Sequence, residues 1–367
     1  KENNSLIVES TGVPFQNIQK KLNTKNSGIT TRFILPVLGL KKEIQEEIVL
    51  DCAEQMRQRP VQSLVGALND LGMKVESTDT NGKLPLTVSG SLLGGGVEID
   101  GTTSQYLSAL LLSAPYAKND IEIVVPDLQE RPYVGMTLAL LDEHGIKYEH
   151  KKKNNVDIYI VPAGQIYQPF EKTIPVDFSS ASYPIAAACM IPSEVIIQGV
   201  NMEENQGDKR LIYILKEMGA DITIKDDTLL IRGGKSLCGM KIDANDIPDM
   251  VPTLAVIGTY AEGETKIKNV AHARIKETDR IKSMTTELKK MGADVEEFAD
   301  GMVVKKSVLH GTEVHGYEDH RTIMALSLAG MLASDETVID TAEGINKTFP
   351  NYVELMQGLG ANIKLEN

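Results

Sequence analysis

Apolar positions along this chain follow two alternating rhythms. In the first they recur three and four residues apart, marking amphipathic helices that each stop at a glycine. These helix ends read LNDLG at 68–72, LDEHG at 141–145, LKEMG at 215–219, LKKMG at 288–292 and MQGLG at 356–360. The closing glycines are spaced by 73, 74, 73 and 68 residues. A glycine just past the last turn supplies the left-handed residue that ends a helix without a Cβ penalty. Behind each comes a strand-like alternation, as in Ala220-Asp221-Ile222-Thr223-Ile224.

The second rhythm marks helices that are apolar or small nearly all round, and these are expected to be buried. Their openings read NSGITTR (26–32), TTSQY (102–106), DFSSASY (177–183), IPDMVP (247–252) and EDHRT (318–322). One repeat is therefore strands plus two helices, and five such units fill the chain, an α/β class. One period back from Gly72 falls before residue 1, so the expectation is a chain that starts one unit late.

Length and charge narrow the function. A chain of 367 residues exceeds one ordinary core, so two domains are expected, 1–175 and 176–367. No apolar run reaches the ~18–20 residues that cross a bilayer. The cysteines (Cys52, Cys189, Cys238) and the six histidines show no metal spacing, so no metal site is expected. Scattered thiols and the absence of a signal sequence fit a cytoplasmic protein. A formal net charge of −13 argues against nucleic acid and membrane surfaces as partners. It leaves room for a small anion in a cleft built from local cations.

Such cations stand at the openings of the amphipathic helices: MRQRP (56–60), QERP (129–132), QGDKR (206–210), RIKETDR (274–280) and NKTFP (346–350). Basic charge at a helix start is unfavourable unless an anion neutralises it, and the free backbone N–H groups there also favour an anion. A cleft lined by Arg59, Arg131, Lys209, Lys276, Arg280 and Lys347 is the expectation, with Arg32 and Arg321 added from the apolar helices. Any one of these cations can instead pair with a neighbour such as Glu130 or Asp208. Two carboxylates sit in this basic field, Asp249 and Glu277, and a carboxylate among cations stays ionised and can accept a proton. Asp279 and Asp319 read as caps or as orienters of a nearby Arg or His. The dense charges of HARIKETDRIKSM (272–284) fit either a solvated helix start or a working site.

Together these segments resemble the EPSP synthase family of enolpyruvyl transferases. NSGITTR resembles the family's N-(A/S)-G-T-x-x-R loop and QRP its K-x-R-P element. TTSQYLSALLLSAP, DFSSASY, DIPDMVPTLAV, RIKETDRI, DHRTIMALSLAG and NKTFPNY follow in family order. The resemblance implies two similar domains of three βαβαββ units each, an inside-out α/β barrel closing like a clamp, with five of the six units present here. It implies transfer of the enolpyruvyl group from phosphoenolpyruvate to the 5-hydroxyl of shikimate 3-phosphate by a monomer that needs no cofactor. Ser104, Gln105, Tyr133, Ser179, Asp249 and Lys276 would face shikimate 3-phosphate. Gly28, Arg59, Gln105, Arg280, Arg321 and Lys347 would face phosphoenolpyruvate. Asp249 would take the 5-hydroxyl proton, and Glu277 would shuttle a proton at the methylene carbon.

The chain departs from the family in places. Ile29 follows the loop glycine where the family has Thr, Glu130 stands where a serine is common, and His272 replaces an asparagine. Glu130 would repel a phosphate unless Arg131 held it away. No P-G-S-K-S segment appears, which implies about one missing N-terminal repeat and little turnover by the chain as written. The related UDP-N-acetylglucosamine enolpyruvyl transferases place a cysteine five residues before the arginine matched by Arg59, and Glu54 stands there instead. A non-enzymatic repeat clamp around nucleic acid is the alternative from another class. It needs scattered cations rather than paired carboxylates and hydroxyl-rich turns.

Overall fold

The structure, a computed structural model, describes residues 5–366 except 11, 17–18, 43–44 and 80–81. Its first repeat runs strand Lys21–Asn23, helix Gly28–Val37, strand Ile48–Asp51, helix Gln62–Asp70, then hairpin Met73–Ser77 and Leu86–Gly90. The first two strands pair in parallel across the apolar helix, as a helical crossover allows, and the hairpin adds antiparallel. The sheet order is first, second, fourth, third strand.

The same order returns over Gly95–Glu98 to Val156–Val161 and over Lys241–Asp243 to Gly301–Lys305. Between these two lies a three-stranded version, with Thr228–Arg232 central between Glu194–Gln198 and Asp221–Lys225. The last repeat keeps both helices, His320–Leu332 and Tyr352–Gly358, and a two-stranded parallel pair. Three complete βαβαββ units are thus present among the described residues, with one three-stranded and one two-stranded variant of the same repeat.

The glycines that mark the repeat have φ of 94° (Gly72), 69° (Gly145), 104° (Gly219), 92° (Gly292) and 97° (Gly360), the left-handed geometry expected of helix stops. Four of the apolar helices are buried nearly all round: in Phe178–Met190 only Ser180 escapes, and in Val251–Tyr260 only Tyr260, whereas Gly28–Val37 buries five of its ten residues. Their first turns are held by polar caps, Ser27, Thr103, Asp177 and Asp319, which accept from backbone N–H groups two or three residues on. By contrast Arg280–Lys290 buries one face, with Ile281, Met284, Leu288 and the following Met291 fully inaccessible.

The chain forms two compact units, Lys1–Gln129 with Thr137–Pro169, and Glu130–Met136 with Phe170–Asn367. This division sits six residues before the expected boundary at 175 and groups a short segment, Glu130–Met136, with the later part. Within the second unit the helices Phe178–Met190, Val251–Tyr260 and His320–Leu332 pack on one another, and their own sheets lie behind them. In the first unit Gly28–Val37 packs on Ser104–Ser113. Among the described residues no helix is long and apolar enough to cross a membrane.

Candidate active site

Arg280 opens its helix, and its side chain is 1% exposed. Such a charge is tolerated inside a protein only when paired and hydrogen-bonded. Here three carboxylates meet it: Nε donates to Asp319 Oδ2 at 2.8 Å, Nη1 to Asp249 Oδ1 at 2.6 Å and Nη2 to Glu277 Oε2 at 2.6 Å. The second oxygen of Asp249 takes Arg321 Nη2 at 2.8 Å. Asp319 also caps the following helix through the Arg321 N–H, so one buried acid fixes both arginines. Its expected role as cap and orienter is what the geometry shows.

The electrostatics follow. Burial works against the charge of Asp249, but Arg321, Arg280 and Lys276 outweigh it and hold the carboxyl far below the usual range. Burial, and then the charge of Arg321, pushes His320 down to about 4, so it is neutral beside the arginines at pH 7. His272 is likewise lowered by burial, and its Nε2 lies 3.1 Å from the Asn245 carbonyl.

Lys276 follows the short helical turn Ala271–Ile275, and its ammonium pairs with Glu130. The expectation named Arg131 as what holds Glu130 away, and the structure adds Lys276 as a partner of that acid. Next to it in the same segment, Tyr133 donates to both oxygens of Asp208, at 3.0 and 3.2 Å. Ser179 donates to Asp208 as well. Asp208 is 2% exposed, and burial, then the nearby Asp249 charge, raises its carboxyl to about 6. A Cβ on Gly207 would lie 2.7 Å from Pro132 Cβ, so glycine there lets the 130–136 segment seat closely.

The first unit gathers a separate set. Arg32 Nη1 donates to Gln105 Oε1 at 2.6 Å and Nη2 to the Pro60 carbonyl at 2.9 Å, with the guanidinium 5.6 Å from the Tyr106 ring centroid. Arg59, in the turn after Glu54–Arg57, is 8% exposed. Gly28 starts the helix against both arginines: a Cβ there would meet Arg59 Nη1 at 2.6 Å and Arg32 Nη1 at 3.2 Å. Ser104 is buried on the first turn beside Gln105.

Two expected cations are taken by backbone carbonyls. Lys209 donates to the Met202 and Glu204 carbonyls at 2.7 and 2.6 Å, outside the Arg280 cluster, which corrects its placement in the cleft. Lys347 donates to the Glu318 carbonyl at 2.6 Å, one residue before Asp319, so it borders the cluster through that turn. The role of Asp208 was missed because its neighbour Lys209 suggested a local pair, whereas its hydroxyl partners lie 75 and 29 residues away.

A family model described as EPSP synthase (3-phosphoshikimate 1-carboxyvinyltransferase) matches residues 1–356. A 3-phosphoshikimate 1-carboxyvinyltransferase of Acetivibrio thermocellus is 44% identical over 363 residues, 99% of this chain and 84% of the relative. One from Methanocaldococcus jannaschii is 40% identical over 345 residues, 93% of this chain and 79% of the relative. Among solved structures, an EPSP synthase from Acinetobacter baumannii superposes with a TM-score of 0.77 at 25% identity, covering 95% of this chain and 80% of that one. The family match runs from residue 1 and gives no support to the expected missing unit, while the relatives are longer than this chain.

Proposed function

Because the chain belongs to the EPSP synthase family, we propose that it transfers the enolpyruvyl group of phosphoenolpyruvate to the 5-hydroxyl of shikimate 3-phosphate. The observation that carries this reading is the pair of carboxylates, Asp249 and Glu277, held on two nitrogens of one buried arginine. Addition–elimination needs two separately placed proton carriers beside fixed positive charge. In the addition, the acceptor oxygen bonds to C2 of phosphoenolpyruvate, its proton passes to Asp249, and C3 gains a proton from Glu277 in its acid form. In the elimination, the Glu277 carboxylate takes a proton back from C3 as the C2–O bond to phosphate breaks, and the leaving phosphate carries away the proton held by Asp249, so both acids return to their starting states.

Arg280 and Arg321, with Lys347, would receive the anionic groups of phosphoenolpyruvate, and Arg59 beside Gly28 supplies the same chemistry in the first unit. A guanidinium matches carboxylate and phosphate geometry through paired N–H groups. An arriving anion that takes Arg321 also relieves Asp249, whose carboxyl then recovers the basicity a proton acceptor needs. In the second unit Tyr133, Ser179 and Lys276 would hold the acceptor. The reading is of a cytoplasmic monomer working on small anions, with neither nucleic acid nor membrane as partner, in keeping with a formal net charge of −13.

Proton NMR of the product tests this. Shikimate 3-phosphate should yield vinyl-ether methylene signals on the 5-oxygen. Signals only with UDP-N-acetylglucosamine as acceptor would overturn the reading.

A further inference from the structure

The second unit's charged centre is already neutralised without any ligand. Three cations, Arg280, Arg321 and Lys276, face four carboxylates, Asp249, Glu277, Asp319 and Glu130. Three of these acids sit on Arg280 and have capping or proton-carrying work. Glu130 differs. It is 2% exposed, its backbone is left-handed at φ 54°, and its carboxylate pairs with Lys276. A non-glycine residue adopts that conformation at a cost, so the surroundings must hold it there. The hold is visible on both sides: Lys276 takes the carboxylate, while Pro132 seats against Gly207 and Tyr133 bonds to Asp208. Lys276 is itself only 12% exposed, so the two charges meet largely out of water, where their attraction is strong.

We infer that Glu130 is an internal counter-anion standing on Lys276 in the place of the acceptor's phosphate, and that it thereby sets acceptor affinity. The inference rests on the reading that Lys276 serves an anionic acceptor. The ligand's phosphate must share or take the ammonium from Glu130, so part of its binding free energy is spent on breaking that pair. His272, whose pKa burial lowers, Asp249 on its arginines and Tyr133 are further ionisable groups that feel this pair.

Removing only the charge of Glu130 should therefore strengthen anion binding, the opposite of what losing a substrate-binding residue does. Close ion pairs in binding sites couple by ~1.5 kcal/mol or more, which converts to roughly tenfold in affinity. Glu130→Gln keeps the size and hydrogen-bonding atoms of the side chain. Calorimetric titration with shikimate 3-phosphate should show Kd falling roughly tenfold in this variant. Inorganic phosphate, as a separate probe, should change in the same direction. In a Lys276→Gln background the gain should vanish.

Circular dichroism checks that each variant is folded. Glu130→Asp, whose shorter arm reaches Lys276 less well, is the companion should the glutamine variant not fold, and its affinity for both probes should exceed that of wild type. Equal or weaker binding of both probes by folded variants overturns the inference. A shikimate 3-phosphate affinity no better than that of inorganic phosphate in wild type overturns the acceptor reading instead, while the phosphate ratio between variant and wild type still decides the role of Glu130.

Discussion

Arg280 and Asp249, 31 positions apart within one repeat, meet through Nη1 and Oδ1 at 2.6 Å. The other oxygen of that carboxylate belongs to Arg321, so one acid bridges two buried guanidinium groups. Asp249→Asn keeps the shape but drops the charge. Loss of a proton acceptor of this kind lowers kcat by roughly 10²- to 10⁴-fold. Leaving two arginines less compensated also costs about 3–5 kcal/mol of stability, read as a lower melting temperature by circular dichroism. A variant with unchanged kcat would remove Asp249 from the proton path.

Glu277 is bound to Arg280 through one oxygen at 2.6 Å. Glu277→Gln can retain that hydrogen bond while losing the proton relay. We expect exchange of the methylene protons of phosphoenolpyruvate with deuterated solvent, in the presence of shikimate 3-phosphate, to slow by roughly 10²-fold or more. Affinity for shikimate 3-phosphate should move little. Exchange at the wild-type rate would assign the proton to another group.

Gly28 leaves no room for a side chain next to Arg59. A Cβ at 2.6 Å from Nη1 forces that guanidinium aside. In Gly28→Ala, KM for phosphoenolpyruvate should rise by roughly ten- to hundredfold, since displacements near 1 Å have that effect. Shikimate 3-phosphate affinity is the internal control, and a matching loss there would mean general disruption.

Two buried groups give opposite slopes of stability with pH. His320 is depressed to about 4 in the folded protein, so the unfolded chain binds more protons between about 4 and 6.5, and its contribution is lost as pH falls through that window. Asp208 is raised to about 6, so the folded protein binds more protons, and stability falls as pH rises from about 4 to 6. Each amounts to about 3 kcal/mol at most. Asp208→Asn should expose a stability that rises with pH over this range, and His320→Gln should expose one that falls. The sequence has no tryptophan, so chemical denaturation followed by circular dichroism is the natural readout. Identical slopes in both variants would contradict this pair of effects.

The fold was legible where local backbone demands leave a residue signature. Gly72, Gly145, Gly219 and Gly292 stand at left-handed helix stops, which only glycine fills cheaply, and each is followed by a hairpin. Ser27, Asp177 and Asp319 cap the helices that their neighbours' apolar composition announces. The residue types of the site were legible for the same reason: the repeat places them at helix starts. Their partners were not. Glu130 finds Lys276 across 146 positions, and Tyr133 finds Asp208 across 75, pairings set by how repeats stack rather than by any local pattern. Lys209 shows the converse, since a lysine at a helix start reads as anion-binding, yet backbone carbonyls five and seven residues earlier take it.

The most direct test is phosphate release from phosphoenolpyruvate with and without shikimate 3-phosphate. It should be made with this chain and with a form extended to the length of its relatives. The account predicts release that requires both substrates and is abolished together with methylene exchange in Glu277→Gln. No release from either form, or release that ignores shikimate 3-phosphate, would contradict it.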